Sequence, residues 1–133
     1  MKAAPARLAG FAAVGAVGFA VDAGLLTLGL ALGWPEALAR AVSLTTALHL
    51  TFLGNGRFVF GNLSRERLGR QWLGYMVANG LGAGANYAVF LALIASHLPG
   101  LSSRPVGFVA AAVAGAVVNY IGIGRLAFRE RAA

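Results

Sequence analysis

The sequence predicts an all-α integral membrane protein, with four transmembrane helices built as a tandem parallel repeat of a two-helix unit. Three observations carry that prediction. Apolar residues make up 59% of the chain and charged residues only 11%, against about 45–50% and about 25% in soluble domains; such a chain cannot cover a water-facing surface with polar side chains. The apolar residues gather into four segments, at about 8–33, 37–54, 71–96 and 105–124, each able to cross a hydrocarbon core of ~30 Å, which takes about 20 helical residues. Motifs of the first two segments return, in order, in the second two. Backbone groups in lipid must pair within their own segment, which selects helix, and the alternation of a barrel strand is missing.

Span one, 8–33, follows Lys2 and Arg7. A basic start before an apolar run also resembles a secretory leader, but this run exceeds the 7–15 residues of a leader's apolar core, so a retained span is expected. The turn "GWPEA" leads into span two, 37–54. A longer basic connection, "GNGRFVFGNLSRERLGRQ", leads into span three, 71–96, and "HLPGLSSRP" turns the chain into span four, 105–124. At an offset of 64, "GFAAVGAVGFAVDAGLL" (10–26) lies over "GYMVANGLGAGANYAVF" (74–90), pairing Gly10 with Gly74, Gly18 with Gly82 and Asp22 with Asn86. At an offset of 68, "GNGRFVF" (54–60) lies over "GIGRLAF" (122–128). The reading is one membrane domain, 1–133, with repeat one at about 8–60 and repeat two at about 69–128. A two-helix unit returns the chain to its starting side, so the copies run parallel about an axis along the membrane normal.

The basic residues set the orientation. Lys2, Arg7, Arg57, Arg65, Arg67, Arg70, Arg125, Arg129 and Arg131 fall on one side and only Arg40 and Arg104 near the other. The positive-inside rule then puts both termini and the middle connection in the cytoplasm. The net charge of +7 is read as this topology signal and as contact with anionic membrane lipids. Base-stacking aromatics do not alternate with the basic residues, so no nucleic-acid partner is expected. Without cysteine there is no disulfide framework and no thiolate metal site; no metal or other cofactor is expected.

Polar residues inside the spans are the candidate site. Asp22 stands in an apolar run, where a carboxylate is costly unless paired or wetted. Gly15, Gly18 and Asp22 share one helix face, as do Asn79, Gly82 and Asn86 in the second half. Such a face either lines a ligand path or makes a close helix contact with interhelical hydrogen bonds. Arg40 is the candidate partner of Asp22, across an axial gap of roughly 10 Å at 1.5 Å per residue; Arg104 is the basic residue at the matching end of the second half. His49 and Asn119 are further polar groups in spans two and four. Gly80 and Gly84 form a GxxxG pair suited to close packing. Arg57 and Arg125 each end the second helix of a repeat beside aromatics, where a guanidinium fork suits a phosphate or simply anchors the span.

With these motifs in place, the chain resembles the GtrA-like family over about 8–128. The carriers are "FAAVGAVGFAVD" (11–22), "ALARAVS" (37–43) and "FLGNGRFVF" (52–60), in which Asn55, Arg57, Phe58 and Phe60 fit the family's pattern and Gly56 replaces an arginine. In "YIGIGRLAF" (120–128) only Arg125 and Phe128 survive. The resemblance implies translocation of polyprenyl-phosphate-linked sugars across the cytoplasmic membrane, for cell-envelope polysaccharide glycosylation. On it, Arg57 and Arg125 take the phosphate on the inner side and Arg40 and Arg104 receive it on the outer side. Asp22, Asn79, Asn86, Asn55, His49 and Asn119 form the polar lane for the headgroup. No hydrolase triad, phosphate-binding loop or metal cluster stands out in the sequence, so the protein is expected not to be an enzyme. The alternatives are an accessory subunit that holds a membrane glycosyltransferase and a small cation or drug exporter, the latter disfavoured by the strong charge bias. A homodimer or higher oligomer is expected, because four short helices make a thin wall for a lipid path.

Overall fold

The computed structural model describes residues 4–100 and 103–129, of which Ala4, Ile94, Arg104, Pro105 and Phe108 are described by backbone alone. Lys2 and Arg131 of the charge pattern lie outside them. The chain divides into two compact units, Met1–Leu63 and Ser64–Ala133, and one repeat expected from the sequence falls in each. Four helices are long and apolar enough to cross a membrane. The protein is thus an all-helical, multi-pass membrane protein.

The first unit is a pair of helices, α1 (Ala4–Ala31) and α2 (Glu36–Gly54), the second of which runs on through a π-helical turn, Asn55–Val59. Helix α1 ends in two crossed bonds, Trp34 N–H to the Gly29 carbonyl and Gly33 N–H to the Leu30 carbonyl, each 3.0 Å. This Schellman closure needs a left-handed residue, which Gly33 supplies with φ +78°. Pro35 follows at the N-cap of α2, where its missing N–H costs nothing. The two helices approach closely because small residues face each other. A Cβ built on Gly18 would collide with Thr51, one on Gly29 would lie 3.0 Å from the Ala39 Cβ, and one on Gly54 would lie 3.0 Å from Val14.

The second unit opens on a short 3₁₀ turn, Arg65–Arg67, and continues as α3 (Leu68–Ala95), α4 (Arg104–Gly122) and a π-helical turn, Ile123–Ala127. Gln71, buried, takes the Ser64 N–H on its Oε1 at 3.0 Å and fixes the entry to α3. A Cβ on Gly82 would lie 2.9 Å from both the Asn119 Cβ and the Gly115 carbonyl, and one on Gly122 would lie 3.1 Å from the Ala78 Cβ. Gly82, Asn119, Gly122 and Ala78 stand 64 or 68 residues after Gly18, Thr51, Gly54 and Val14. The same positions therefore make the close contacts in both units.

The structure differs from the sequence reading at the ends of α2 and α4. The segment 54–71 is not one connection. Its first part is the π-turn that lengthens α2, closed by Phe60 N–H to the Asn55 carbonyl at 2.9 Å; Phe128 N–H closes the other on the Ile123 carbonyl at 3.0 Å. Each turn contains the Gly-Arg pair of its unit. Single π-turns are uncommon and gather at functional sites.

Candidate functional site

In the first unit the carboxylate has its partner. Arg40 Nη1 donates to Asp22 Oδ1 at 3.0 Å and to Oδ2 at 2.8 Å. The Asp22 side chain is 18% exposed and that of Arg40 50%, so the acid is sheltered and the base open. Ser43, fully buried, donates to the Arg40 carbonyl at 3.1 Å and stands near the Asp22 carboxylate. The sequence left this pairing open; the contacts above settle it. Gly29 lies level with Ala39, and Gly18 with Ala47 and Thr51, which places Asp22 level with about residue 45 and Arg40 roughly 7.5 Å nearer the helix end at 1.5 Å per residue. A long side chain laid along the helices closes that distance. Ser43 was missed, although its place three residues after Arg40 puts it on the same face.

Towards the other end of this unit α1 and α2 enclose a groove of about 600 Å³. Gly10, Ala13, Val17, Leu50 and Leu53 give it apolar walls, and Arg57, Phe58 and Leu63 stand at one end. Arg57 is exposed, Phe58 is 65% exposed, and between them and the core Val59 is buried. The π-turn produces this split, since five residues per hydrogen-bonded ring turn the Arg-Phe pair outward while Asn55 and Val59 stay in. His49 is not brought to either feature. Ala39, Ser43 and Ala47 mark the buried face of α2, His49 lies about half a turn from Ala47, and its Nδ1 bonds the Thr45 carbonyl at 2.8 Å.

The second unit collects the amides. Asn79 Nδ2 donates to the Tyr75 carbonyl at 2.8 Å, which leaves Asn79 Oδ1 to accept from Asn119 Nδ2 at 3.2 Å. Asn119 Oδ1 is then buried with no hydrogen-bond partner among the described residues. Asn79, Asn86 and Asn119 line a groove of about 480 Å³ between α3 and α4 with Tyr87, which the sequence reading did not single out. Arg125 is exposed on the second π-turn, beneath which Phe128 is buried and packs against Tyr75 with ring centroids 6.5 Å apart. Arg104 begins α4, but its side chain lies outside the description. At the offset of 68 it matches Glu36, and Phe108 matches Arg40, so Arg104 is not the positional counterpart of Arg40. No group of three or more metal-ligating side chains occurs among the described residues.

These arrangements are an ion pair within a span, an apolar groove ending in an exposed guanidinium, and an amide-lined groove. No curated protein matches the chain. The family model described as the GtrA/DPMS transmembrane domain matches residues 10–128, which takes in all three features. The chain belongs to the GtrA/DPMS transmembrane domain family, whose members are involved in handling lipid-linked sugars.

Proposed function

We propose that this protein translocates polyprenyl-phosphate-linked monosaccharides across the cytoplasmic membrane, for glycosylation of cell-envelope polysaccharides. The observation that carries the reading is the groove of the first unit, apolar along α1 and α2 and ending at Arg57 and Phe58. An isoprenoid chain needs an apolar wall. Its phosphate needs a cation where the wall ends, and a guanidinium offers a planar, always charged fork to phosphate oxygens. Arg125, on the equivalent turn, is a second capture point. Arg40 and Arg104 open the far ends of α2 and α4 and receive the phosphate there. Arg40 is held by Asp22, so the arriving phosphate competes with a carboxylate, which makes the contact reversible.

The two units are the halves of a tandem parallel repeat. The recurrence of the close contacts 64 and 68 residues on supports this. Both termini lie in the cytoplasm, on the side of the nine basic residues, and the working form is a homodimer or higher oligomer. Crossing makes and breaks no covalent bond, so the proposal assigns no enzyme activity.

The test is purified protein in vesicles carrying a polyprenyl-phosphate hexose, with headgroup exposure on the opposite face read by an impermeant probe. Arg57→Ala, and Ala13→Phe, which fills the groove, both slow the crossing. Wild-type crossing no faster than in empty vesicles overturns the proposal and favours an accessory subunit for a membrane glycosyltransferase.

A further inference from the structure

The ion pair of the first unit is built so that its two halves do not separate at equal cost. Arg40 binds both Asp22 oxygens through Nη1 alone, and its side chain is half exposed while that of Asp22 is sheltered. Asp22, level with about residue 45, lies roughly 13 Å from the start of α2 at 1.5 Å per residue. No other described group of the unit replaces Arg40 there. The Ser43 hydroxyl gives its proton to the Arg40 carbonyl. Within the unit, the elements packed on α1 are α2 and its π-turn. Their remaining charged or titratable groups are Glu36, His49 and Arg57, and α1 itself adds Arg7. Glu36 has the same sign as Asp22. His49 points half a turn off the buried face and bonds the Thr45 carbonyl. Arg57 and Arg7 lie about 18 and about 22 Å away along the helices. The second unit replaces the whole arrangement: Asn86, Phe108 and Ala111 stand at the positions of Asp22, Arg40 and Ser43. An amide needs no cation beside it, so acid and base are lost there together.

We propose that capture of a lipid phosphate by Arg40 is coupled to uptake of one proton by Asp22; this rests on the translocation reading above and names its coupling ion. The arriving phosphate takes the guanidinium, whose long side chain turns towards the headgroups. Asp22, on a single methylene, does not follow. A carboxylate left unpaired in apolar surroundings neutralises rather than persists as an ion. A proton from the aqueous side adds to one of its oxygens. When the phosphate leaves, Arg40 returns to Asp22 and the proton goes back to water. The negative charge of the phosphate and the proton arrive together, so the net charge inside the span is unchanged. The second unit takes no part in this exchange, which sets one proton per chain.

The experiment uses the full chain in nanodiscs and a short-chain prenyl phosphoryl glucose, a diester whose own charge does not titrate near neutral pH. A pH indicator in weak buffer reads the protons taken up as the lipid binds, and the binding is repeated at falling pH. Wild-type protein takes up protons, towards one per chain, and its affinity rises as pH falls, towards about tenfold per pH unit, the limit for one linked proton. Asp22→Asn, which keeps the shape without the charge, takes up none and binds with an affinity independent of pH. Wild-type binding without proton uptake means that the phosphate shares the guanidinium with Asp22, and overturns the coupling whether or not Asp22→Asn folds. A pH dependence that survives in folded Asp22→Asn overturns it too and moves the proton to another group, such as His49. The two proposals fail separately. Accelerated vesicle crossing with no proton uptake on binding removes the coupling and leaves translocation standing, whereas proton uptake lost in Asp22→Asn without accelerated crossing does the reverse.

Discussion

The ion pair of the first unit predicts an asymmetric cost of truncation. Helix α2 with its π-turn, Glu36–Val59, has 24 residues, about 36 Å at 1.5 Å per residue. Centred on a ~30 Å core, it extends roughly 3 Å beyond the hydrocarbon at each end. Arg40, four residues from Glu36, then sits about 3 Å inside the boundary, and Asp22, level with residue 45, about 10 Å inside. The two partners differ in their escape. Without Asp22, the Arg40 side chain turns up to the headgroups, and Asp22→Ala costs about 1 kcal/mol or less, like an exposed pair. Without Arg40, the carboxylate stays in hydrocarbon with only Ser43 beside it, and Arg40→Ala costs about 3 kcal/mol. Adding Asp22→Ala to Arg40→Ala removes the stranded charge and restores most of the loss, a coupling of about 2–3 kcal/mol. Reversible unfolding in mixed micelles reads all three variants. Equal costs for the two single variants, or a double variant as unstable as Arg40→Ala, would refute the depth assignment and the pairing with it.

Further predictions follow from the two units. Gly10→Ala is tolerated, because its Cβ would lie 3.5 Å from Val59, whereas Gly74→Ala, whose Cβ would fall on the Leu126 carbonyl and 3.0 Å from the Ala127 nitrogen, lowers stability by about 2 kcal/mol through overpacking against backbone; thermal unfolding of the two compares them. Asn119→Ala breaks the bond to Asn79 and costs below about 2 kcal/mol, within the range for interhelical hydrogen bonds in membranes, by the same measurement. Arg57→Ala leaves unfolding unchanged, since its side chain is exposed, but weakens prenyl-phosphate binding about tenfold or more through loss of a charge-assisted contact; a stability loss in that variant would show that Arg57 serves the fold.

The four spans were legible because apolar length is enough to define them in lipid, and their internal likeness because Gly10, Gly18 and Gly54 recur as Gly74, Gly82 and Gly122. The residues of the candidate sites were mostly legible too, since a polar group in an apolar run stands out whatever it touches. Their partners were harder. Counting residues from the turn gives the axial gap between Asp22 and Arg40 but not whether the two side chains lean towards each other, which depends on the face set by Gly18 and Gly29. The π-turns were not foreseen. Gly-x-Gly-Arg at both helix ends was their only trace, and the extra residue per turn depends on what the backbone packs against, as at Gly74 and Leu126. Tyr87 escaped because a lone tyrosine within a span reads as one more large side chain facing lipid or a neighbouring helix; only the groove it lines singles it out.

The central claim is translocation, and the rate of headgroup crossing tests it most directly. Purified wild-type protein is placed in vesicles with a polyprenyl-phosphate glucose on one leaflet, and its accessibility to an impermeant reagent on the other side is followed over time. The account predicts crossing faster than in empty vesicles, slowed by Arg57→Ala at unchanged folding. Crossing at the empty-vesicle rate by protein shown to be folded, or acceleration indifferent to Arg57, would contradict it.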